Sequence, residues 1–260
     1  MANAQPLAGK VAVVTGGARG IGRSIVERFA AGGADIAICA RTVKDLEETK
    51  TAIESLGQTC LAIETDLSDA VSTKAFCNGV IDRFGTVDIL VNNAGVYLDK
   101  GTIAESDPDV WVKNVVINLH APYLVTRHLL PAIKNGGRII NFSTGKALSP
   151  GNDASSYHIS KAGLHMLTGC LANELWPRNI DVNNIIPGPV ATTTFSREDP
   201  ANRSTPEELL ERYKTEVPNG LPNWERVKHP DEVADLAFWL VSAPEGGPTG
   251  QTFSLARRPI

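Results

Sequence analysis

The chain has 260 residues, of which 42% are hydrophobic and 21% charged, a balance that argues against disordered and fibrous classes. Its length suits a single large α/β domain that buries roughly three quarters of its unfolded surface and needs no disulfide or metal staple. Twenty-five basic residues against 29 acidic ones leave a net charge of −4, which speaks against nucleic acid or an anionic membrane as the main partner.

Strand-like runs occur at Val11–Thr15, Asp35–Ala40, Thr59–Glu64, Val87–Asn92, Arg138–Ser143, Asp181–Ile186 and Gln251–Leu255. Several are almost continuously apolar, as strands covered on both faces must be. Helical periodicity fills the intervals at Ile21–Ala31, Val43–Leu56, Ala70–Phe84, Val110–Ile133, Ser155–Trp176 and Asp231–Ser242, with turn or capping residues such as Asp69, Asp107-Pro108 and Pro230-Asp231 at their starts. Strands alternating with helices of this length predict a doubly wound parallel sheet, a Rossmann-like α/β fold in one domain. From Pro187 to Pro230 the rhythm breaks: seven prolines and a single helix start, at Thr205-Pro206-Glu207-Glu208. A long connection after a strand end, where open α/β sheets bind ligands, reads as a substrate lid over residues 187–230.

Cys39, Cys60, Cys77 and Cys170 form no CxxC or CxxH pair, and His120, His128, His165 and His229 have no metal-ligand spacing, so no metal site is expected. The N-terminus lacks the basic start and apolar core of a secretory signal, and no apolar run approaches the ~20 residues that span a bilayer. The expectation is a soluble protein of a reducing compartment, the cytoplasm by default.

The first strand runs into Thr15-Gly16-Gly17-Ala18-Arg19-Gly20-Ile21-Gly22 and then a helix. Glycines allow a sharp turn and let the backbone approach a pyrophosphate without a Cβ in the way. The helix start then offers free N–H groups and partial positive charge to the anion. No Gly-Lys-Ser/Thr follows, which excludes an ATPase-type phosphate loop.

With Asn92-Asn93-Ala94-Gly95 after the fourth strand, and Asn118, Tyr157 and Lys161 in order behind it, the chain resembles the short-chain dehydrogenase/reductase family over about residues 8–256. Within that family it looks most like members that reduce 3-oxoacyl-carrier-protein substrates. The resemblance implies hydride transfer between a nicotinamide and a carbonyl or alcohol, and a homotetramer built on the Val110–Ile133 and Ser155–Trp176 helices. It also implies that Asn92 supports the central strand while Ala94 and Gly95 line the cofactor ribose.

Tyr157 and Lys161 lie four apart, on one helix face. An ammonium near a phenol favours the phenolate and brings its pKa from ~10 toward the working range. The family places a serine thirteen residues before the tyrosine; here that position is Thr144, with Ser143 preceding it as the alternative. By the same resemblance, Asn118 holds a water that links Lys161 to solvent. The catalytic set is therefore Asn118, Thr144 or Ser143, Tyr157 and Lys161.

Cofactor choice turns on the end of the second strand, where an acid binds the ribose 2′-OH of NAD. The position expected for that acid holds Ala40, followed by Arg41, and Arg19 lies in the glycine loop. Two guanidiniums without an acid favour NADP(H), with NAD(H) as the alternative. The resemblance places Asp66 and Leu67 at the adenine edge, and Pro187, Gly188, Val190 and Thr192 at the carboxamide and pyrophosphate. Together with Gly16, Ala18, Arg19, Gly20, Ile21, Arg41, Asn92, Ala94, Gly95, Tyr157 and Lys161 they form the expected cofactor set. An NAD-dependent alcohol oxidiser and a non-catalytic redox sensor are the rival readings. Trp224 is a candidate for the substrate pocket, and Arg257-Arg258 in the tail is read as solvated, as a subunit contact, or as an acidic-substrate grip.

Overall fold

The apolar runs become strands because each is covered on both sides. The computed structural model describes residues 5–196, 198, 202–216, 218, 221 and 224–257. Its strands are β1 (Val11–Thr15), β2 (Asp35–Ala40), β3 (Cys60–Glu64), β4 (Val87–Asn92), β5 (Ile133–Phe142), β6 (Asp181–Ile186) and β7 (Thr252–Ser254). Among the described residues they form one parallel sheet of order β3-β2-β1-β4-β5-β6-β7. The chain steps outward from β1 to β3, then restarts at β4 beside β1. Segments leaving β1 and β4 therefore diverge, and a crevice opens at their carboxyl ends.

Helices α1 (Gly20–Ala31), α2 (Val43–Ser55), α3 (Ala70–Phe84), α4 (Pro108–Val115), α5 (Ala121–Leu129), α6 (Ser155–Leu175), α7 (Thr193–Ser196), α8 (Pro206–Arg212) and α9 (Pro230–Ser242) complete the order. Alternation along the strands assigns the two faces. Ala12, Val14, Ile36, Ile38, Ile89 and Val91 pack with α1 and α9 residues such as Phe29 and Leu240. Val13, Ala37, Cys39 and Leu90 pack instead with Phe76, Val125 and Leu171. Each large side chain so buried stabilises the fold by ~1.5–3 kcal/mol. No helix among the described residues is long and apolar enough to cross a membrane.

Two expectations are corrected. The single helix expected over Val110–Ile133 is α4, a π turn at Val116–His120, and α5, which ends at Leu129. Ile133 belongs to β5, where it pairs with Val87 before a register shift, and Gly136 adopts φ +78° in that irregular stretch. Inside the proline-rich segment, α8 starts where the sequence indicates, with a full capping box between Thr205 and Glu208. His229 is the N-cap of α9, its ring accepting from Asp231 N at 3.2 Å.

One row of buried polar side chains crosses the sheet. Asn92, Asn141 and Asn184 are register partners on β4, β5 and β6. Asn92 Nδ2 donates to Asn141 Oδ1 at 2.8 Å, and Asn141 Nδ2 donates to Thr168 Oγ1 at 2.8 Å. Thr168 Oγ1 also lies 2.9 Å from Asn184 Oδ1, so the row pins α6 to the centre of the sheet. Replacing Asn141 with Leu leaves the Asn92 amide only its longer bond to Thr126 Oγ1, at 3.3 Å, and removes the donor to Thr168, so it should destabilise by about 2 kcal/mol. Urea unfolding checks this; a loss below about 0.5 kcal/mol would mean that the row contributes little to stability.

Candidate active site

The turn from β1 into α1 runs through Gly16, at φ +65°, to Gly20, at φ +53°, both in the left-handed region that favours glycine. A Cβ on Gly22 would stand 2.2 Å from Gly16 O, so α1 can follow the turn this closely only with glycine there. Arg19, the α1 N-cap, makes no side-chain cap bond, and the first turn carries no acid. The opening N–H groups of α1 thus meet the crevice without a protein anion, which fits a pyrophosphate. Ala18 is buried, Ile21 half-buried and Arg19 exposed.

Across the crevice, Thr15 Oγ1 accepts from the N–H groups of Asn93 and Ala94, each at 3.1 Å. Asn93 Nδ2 donates back to Thr15 O at 3.0 Å and Gly16 O at 3.2 Å. The glycine loop and the Asn92–Gly95 segment are thereby stitched together. Thr192, after β6, reaches the same place: its methyl would lie 3.3 Å from a Cβ on Gly20. Pro187, Gly188 and Val190 lead up to it, held from below by Lys228, whose N–H donates to Pro189 O at 3.0 Å. Lys228 and Glu225 form a buried ion pair at 2.8 Å under this loop.

The end of the crevice expected to take the adenosine lies after β2 and β3. Ala40 is half-buried and Arg41 exposed. Asp66 accepts from Ser68 Oγ at 2.7 Å and Ser68 N at 2.8 Å, bonds that hold its carboxyl below the usual range. Leu67 is half-buried beside it.

The proposed catalytic side chains converge at the other end. The Thr144 hydroxyl accepts from Lys146 N at 3.4 Å, whereas the Ser143 hydroxyl is buried without a partner. Burial raises the Tyr157 pKa, the nearby Thr144 hydroxyl lowers it, and Tyr97 raises it; the Tyr97 ring meets Tyr157 edge-on at 4.8 Å. Lys161 is buried, its Nζ donating to Phe142 O at 2.7 Å, and burial pushes its pKa down to about 8. Asn118 sits in the π turn and clasps Val96, accepting from its N–H and donating to its C=O, both at 2.8 Å. A Cβ on Gly95 would lie 3.2 Å from Asn118 Oδ1 and 3.4 Å from Lys161 Nζ, so glycine leaves the room both groups use.

Several positioning residues went unread in the sequence. Asn114, one turn before Asn118, accepts from Leu98 N at 3.2 Å and donates to Ser156 Oγ at 2.9 Å. The i,i+4 spacing of two asparagines in an apolar stretch is a signal that could have found it. Ala154 starts α6 at φ +52°, a conformation costly for a residue with a Cβ. Trp224 is exposed, Arg257 N donates to Glu225 at 2.9 Å, and Arg258 lies outside the described residues. No group of three or more metal-ligating side chains comes together among the described residues.

A parallel sheet with a glycine turn at its switch point, and a tyrosine and lysine one turn apart beside it, defines a Rossmann-like oxidoreductase class. The chain belongs to the short-chain dehydrogenase/reductase family, whose short chain dehydrogenase model matches residues 10–203. It is 34% identical to the rhamnolipids biosynthesis 3-oxoacyl-[acyl-carrier-protein] reductase of Pseudomonas aeruginosa, over 96% of this chain and 95% of that one. A short chain dehydrogenase from Burkholderia cenocepacia J2315, solved in complex with NADP, superposes with a TM-score of 0.81 at 32% identity, covering 96% and 97% of the two chains. A blue fluorescent protein from a metagenomic library, solved with NADPH, gives 0.80 at 31% identity, with 96% and 97% covered.

The depressed Lys161 pKa makes a stability prediction. The unfolded lysine titrates near ~10.4, so between there and about 8 the unfolded chain binds a proton that the folded one does not. The lysine's contribution is therefore complete above the unfolded value and lost as pH falls to about 8. The buried thiols Cys39, Cys60 and Cys77, raised to about 12, act oppositely over much of this range, so only a difference isolates the lysine. Relative to Lys161→Met, the wild type should gain on the order of 3 kcal/mol of unfolding free energy across that window. A flat difference would show that the buried ammonium is not disfavoured.

Proposed function

We propose that the protein is an NADP(H)-dependent oxidoreductase that interconverts a ketone or aldehyde and an alcohol, with Tyr157 and Lys161 as its proton relay. The observation that carries this reading is the placement of Tyr157 one turn before Lys161 on α6, with Lys161 buried and its Nζ donating to Phe142 O at 2.7 Å beside the β5 end that leads to Thr144. The nicotinamide, when bound, supplies or accepts the hydride. Tyr157 gives its proton to the carbonyl oxygen in reduction and takes one from the alcohol in oxidation. Thr144 holds the same oxygen, its hydroxyl being near enough to lower the Tyr157 pKa, while the Ser143 side chain is buried. Burial alone opposes a phenolate, and the Lys161 ammonium offsets that in a low-dielectric setting. Asn118 keeps the Gly95–Val96 turn in place beside Lys161, where a relay water reaches the ammonium from solvent.

NADP(H) is favoured by Arg19 and Arg41 at the adenosine end, with Ala40 where an acid would repel a 2′-phosphate. The two solved relatives with NADP or NADPH bound agree with this reading. The remaining cofactor contacts proposed are Gly16, Ala18, Gly20, Ile21, Asp66, Leu67, Asn92, Ala94, Gly95, Pro187, Gly188, Val190 and Thr192. Segment 187–230 covers the substrate; its α7 and α8 ends are joined by an edge contact of the Phe195 and Tyr213 rings at 5.8 Å. Homotetramer formation through α4, α5 and α6 is favoured by Val112, Tyr123, Ile159 and Met166, apolar side chains exposed on those helices. The free thiols Cys39, Cys60 and Cys77, all buried, suit a cytoplasmic setting.

Tyr157→Phe should abolish NADPH-linked turnover while leaving NADPH binding, read by fluorescence titration, nearly unchanged. In parallel, Thr144→Val should lower kcat by ~10²–10³ and Ser143→Ala by less than about fivefold. Active Tyr157→Phe enzyme would overturn the relay, and a reversed order for the two hydroxyls would reassign the oxygen-binding role. Cofactor titration should show NADPH binding at least ~10-fold tighter than NADH, with Arg41→Ala narrowing the gap. Equal affinities in the wild type would overturn the argument from the two arginines, and tighter NADH would favour the NAD-dependent alternative.

A further inference from the structure

The first turn of α2 carries an acid beside the proposed 2′-phosphate site. Asp45 is buried, and its helix is tied to the glycine loop by Thr49, whose hydroxyl donates to Ala18 O at 3.1 Å. A carboxylate there works against a phosphate. Its partner comes from 158 positions away: Arg203 Nη1 lies 3.0 Å from Asp45 Oδ1 and 3.2 Å from Oδ2. Burial depresses the Arg19 pKa, Arg203 and Arg41 add to that, and Asp45 raises it. Charges on the glycine loop, the β2 end, α2 and the segment after β6 thus act on one another.

Arg203 is held by a local framework. The adjacent Ser204 donates to Glu198 through its N–H at 3.0 Å and its hydroxyl at 2.8 Å, and Arg212 donates to the same carboxylate at 2.8 Å. Arg212 also donates to Ser204 Oγ at 2.9 Å, and the capping box of α8 begins at the next residue. These bonds hold the Glu198 carboxyl down to about 2, so the framework stays ionised at neutral pH.

We propose that Arg203, paired with Asp45 beside Arg19 and Arg41, is a third determinant of cofactor choice. It neutralises Asp45, the one carboxylate of the cluster among the described residues, and brings a further guanidinium to the site for a ribose 2′-phosphate. The inference rests on the NADP(H) reading above and assigns a residue that reading did not include.

The test compares 2′,5′-ADP with 5′-ADP as ligands of the intact protein, by calorimetry, so that neither nicotinamide nor substrate is involved. In the wild type 2′,5′-ADP should bind at least ~10-fold tighter. Arg203→Gln should remove most of that ratio, while Arg203→Lys keeps more of it. Asp45→Asn separates charge from scaffolding, because it breaks the same ion pair but should hold or increase the ratio. The double variant Arg203→Gln/Asp45→Asn should recover part of the loss. If Arg203→Gln does not fold, the Lys and Asn variants decide the question by the same ratio. A wild type without preference overturns the NADP(H) reading and this inference with it. A wild-type preference that survives Arg203→Gln overturns this inference alone. So does a loss in Asp45→Asn equal to that in Arg203→Gln, which would make the pair a structural tie only.

Discussion

The Thr15 hydroxyl is the point on which the crevice depends. Where sheet order reverses, the segments after β1 and β4 part company, and their backbone N–H groups lose their ladder partners. A buried N–H without a partner is costly. Thr15 Oγ1 accepts two of them, from Asn93 and Ala94, and the Asn93 amide repays the carbonyls of Thr15 and Gly16. The crevice is therefore held at a fixed width. That width brings Gly16 so near Ala94 that a Cβ on the glycine would lie 3.1 Å from the Ala94 Cα. Glycine at 16 follows from the threonine at 15 as much as from any ligand.

From this stitch the order passes along the Asn92–Gly95 segment. Asn118 and Asn114 take the backbone of Val96 and Leu98 in turn, and Asn114 hands it on to Ser156 in the first turn of α6. The same helix is pinned at its middle by Thr168 to the polar row crossing β4, β5 and β6. Tyr157 and Lys161 lie between these two anchors. Their placement is thus set by paired buried amides and hydroxyls, which are directional where apolar packing is not. A buried polar row of this kind is tolerated because nearly every member has a partner; Asn92 Oδ1 is an exception.

What could be read in the sequence follows from this division. Strands and the glycine turn were legible because period, β-branching and glycine placement are local signals. The π turn at Val116–His120 was not: one inserted residue leaves the apolar stripe of a helix almost unchanged, so the stretch reads as one helix. The start of β5 was missed for a related reason, since Ile133–Gly137 has the glycines of a loop and joins the sheet through a single pairing before the register shifts. The hydroxyl at Thr144 could be counted back from Tyr157, yet the burial of Ser143, which supports the proposal of Thr144 over it, needed the strand's facing. Ser143 continues the ladder, its N–H donating to Ile185 O at 2.8 Å, and turns its side chain inward.

Charge shows the same limit most sharply. A net charge of −4 says nothing about where a phosphate would rest, and Arg19 and Arg41 stood out only because both adjoin strand ends. Asp45, four residues after Arg41, reads in sequence as an ordinary acid in the first turn of a helix, favourable to the helix dipole. In the fold that same acid sits on a helix tied to the glycine loop, beside the place proposed for a 2′-phosphate, where it opposes the chemistry proposed there. Among the described residues the conflict is relieved by Arg203, which no local pattern connects to residue 45. A site whose electrostatics depend on a pair so distant in sequence becomes legible only when the segment after β6 has folded back over the glycine loop.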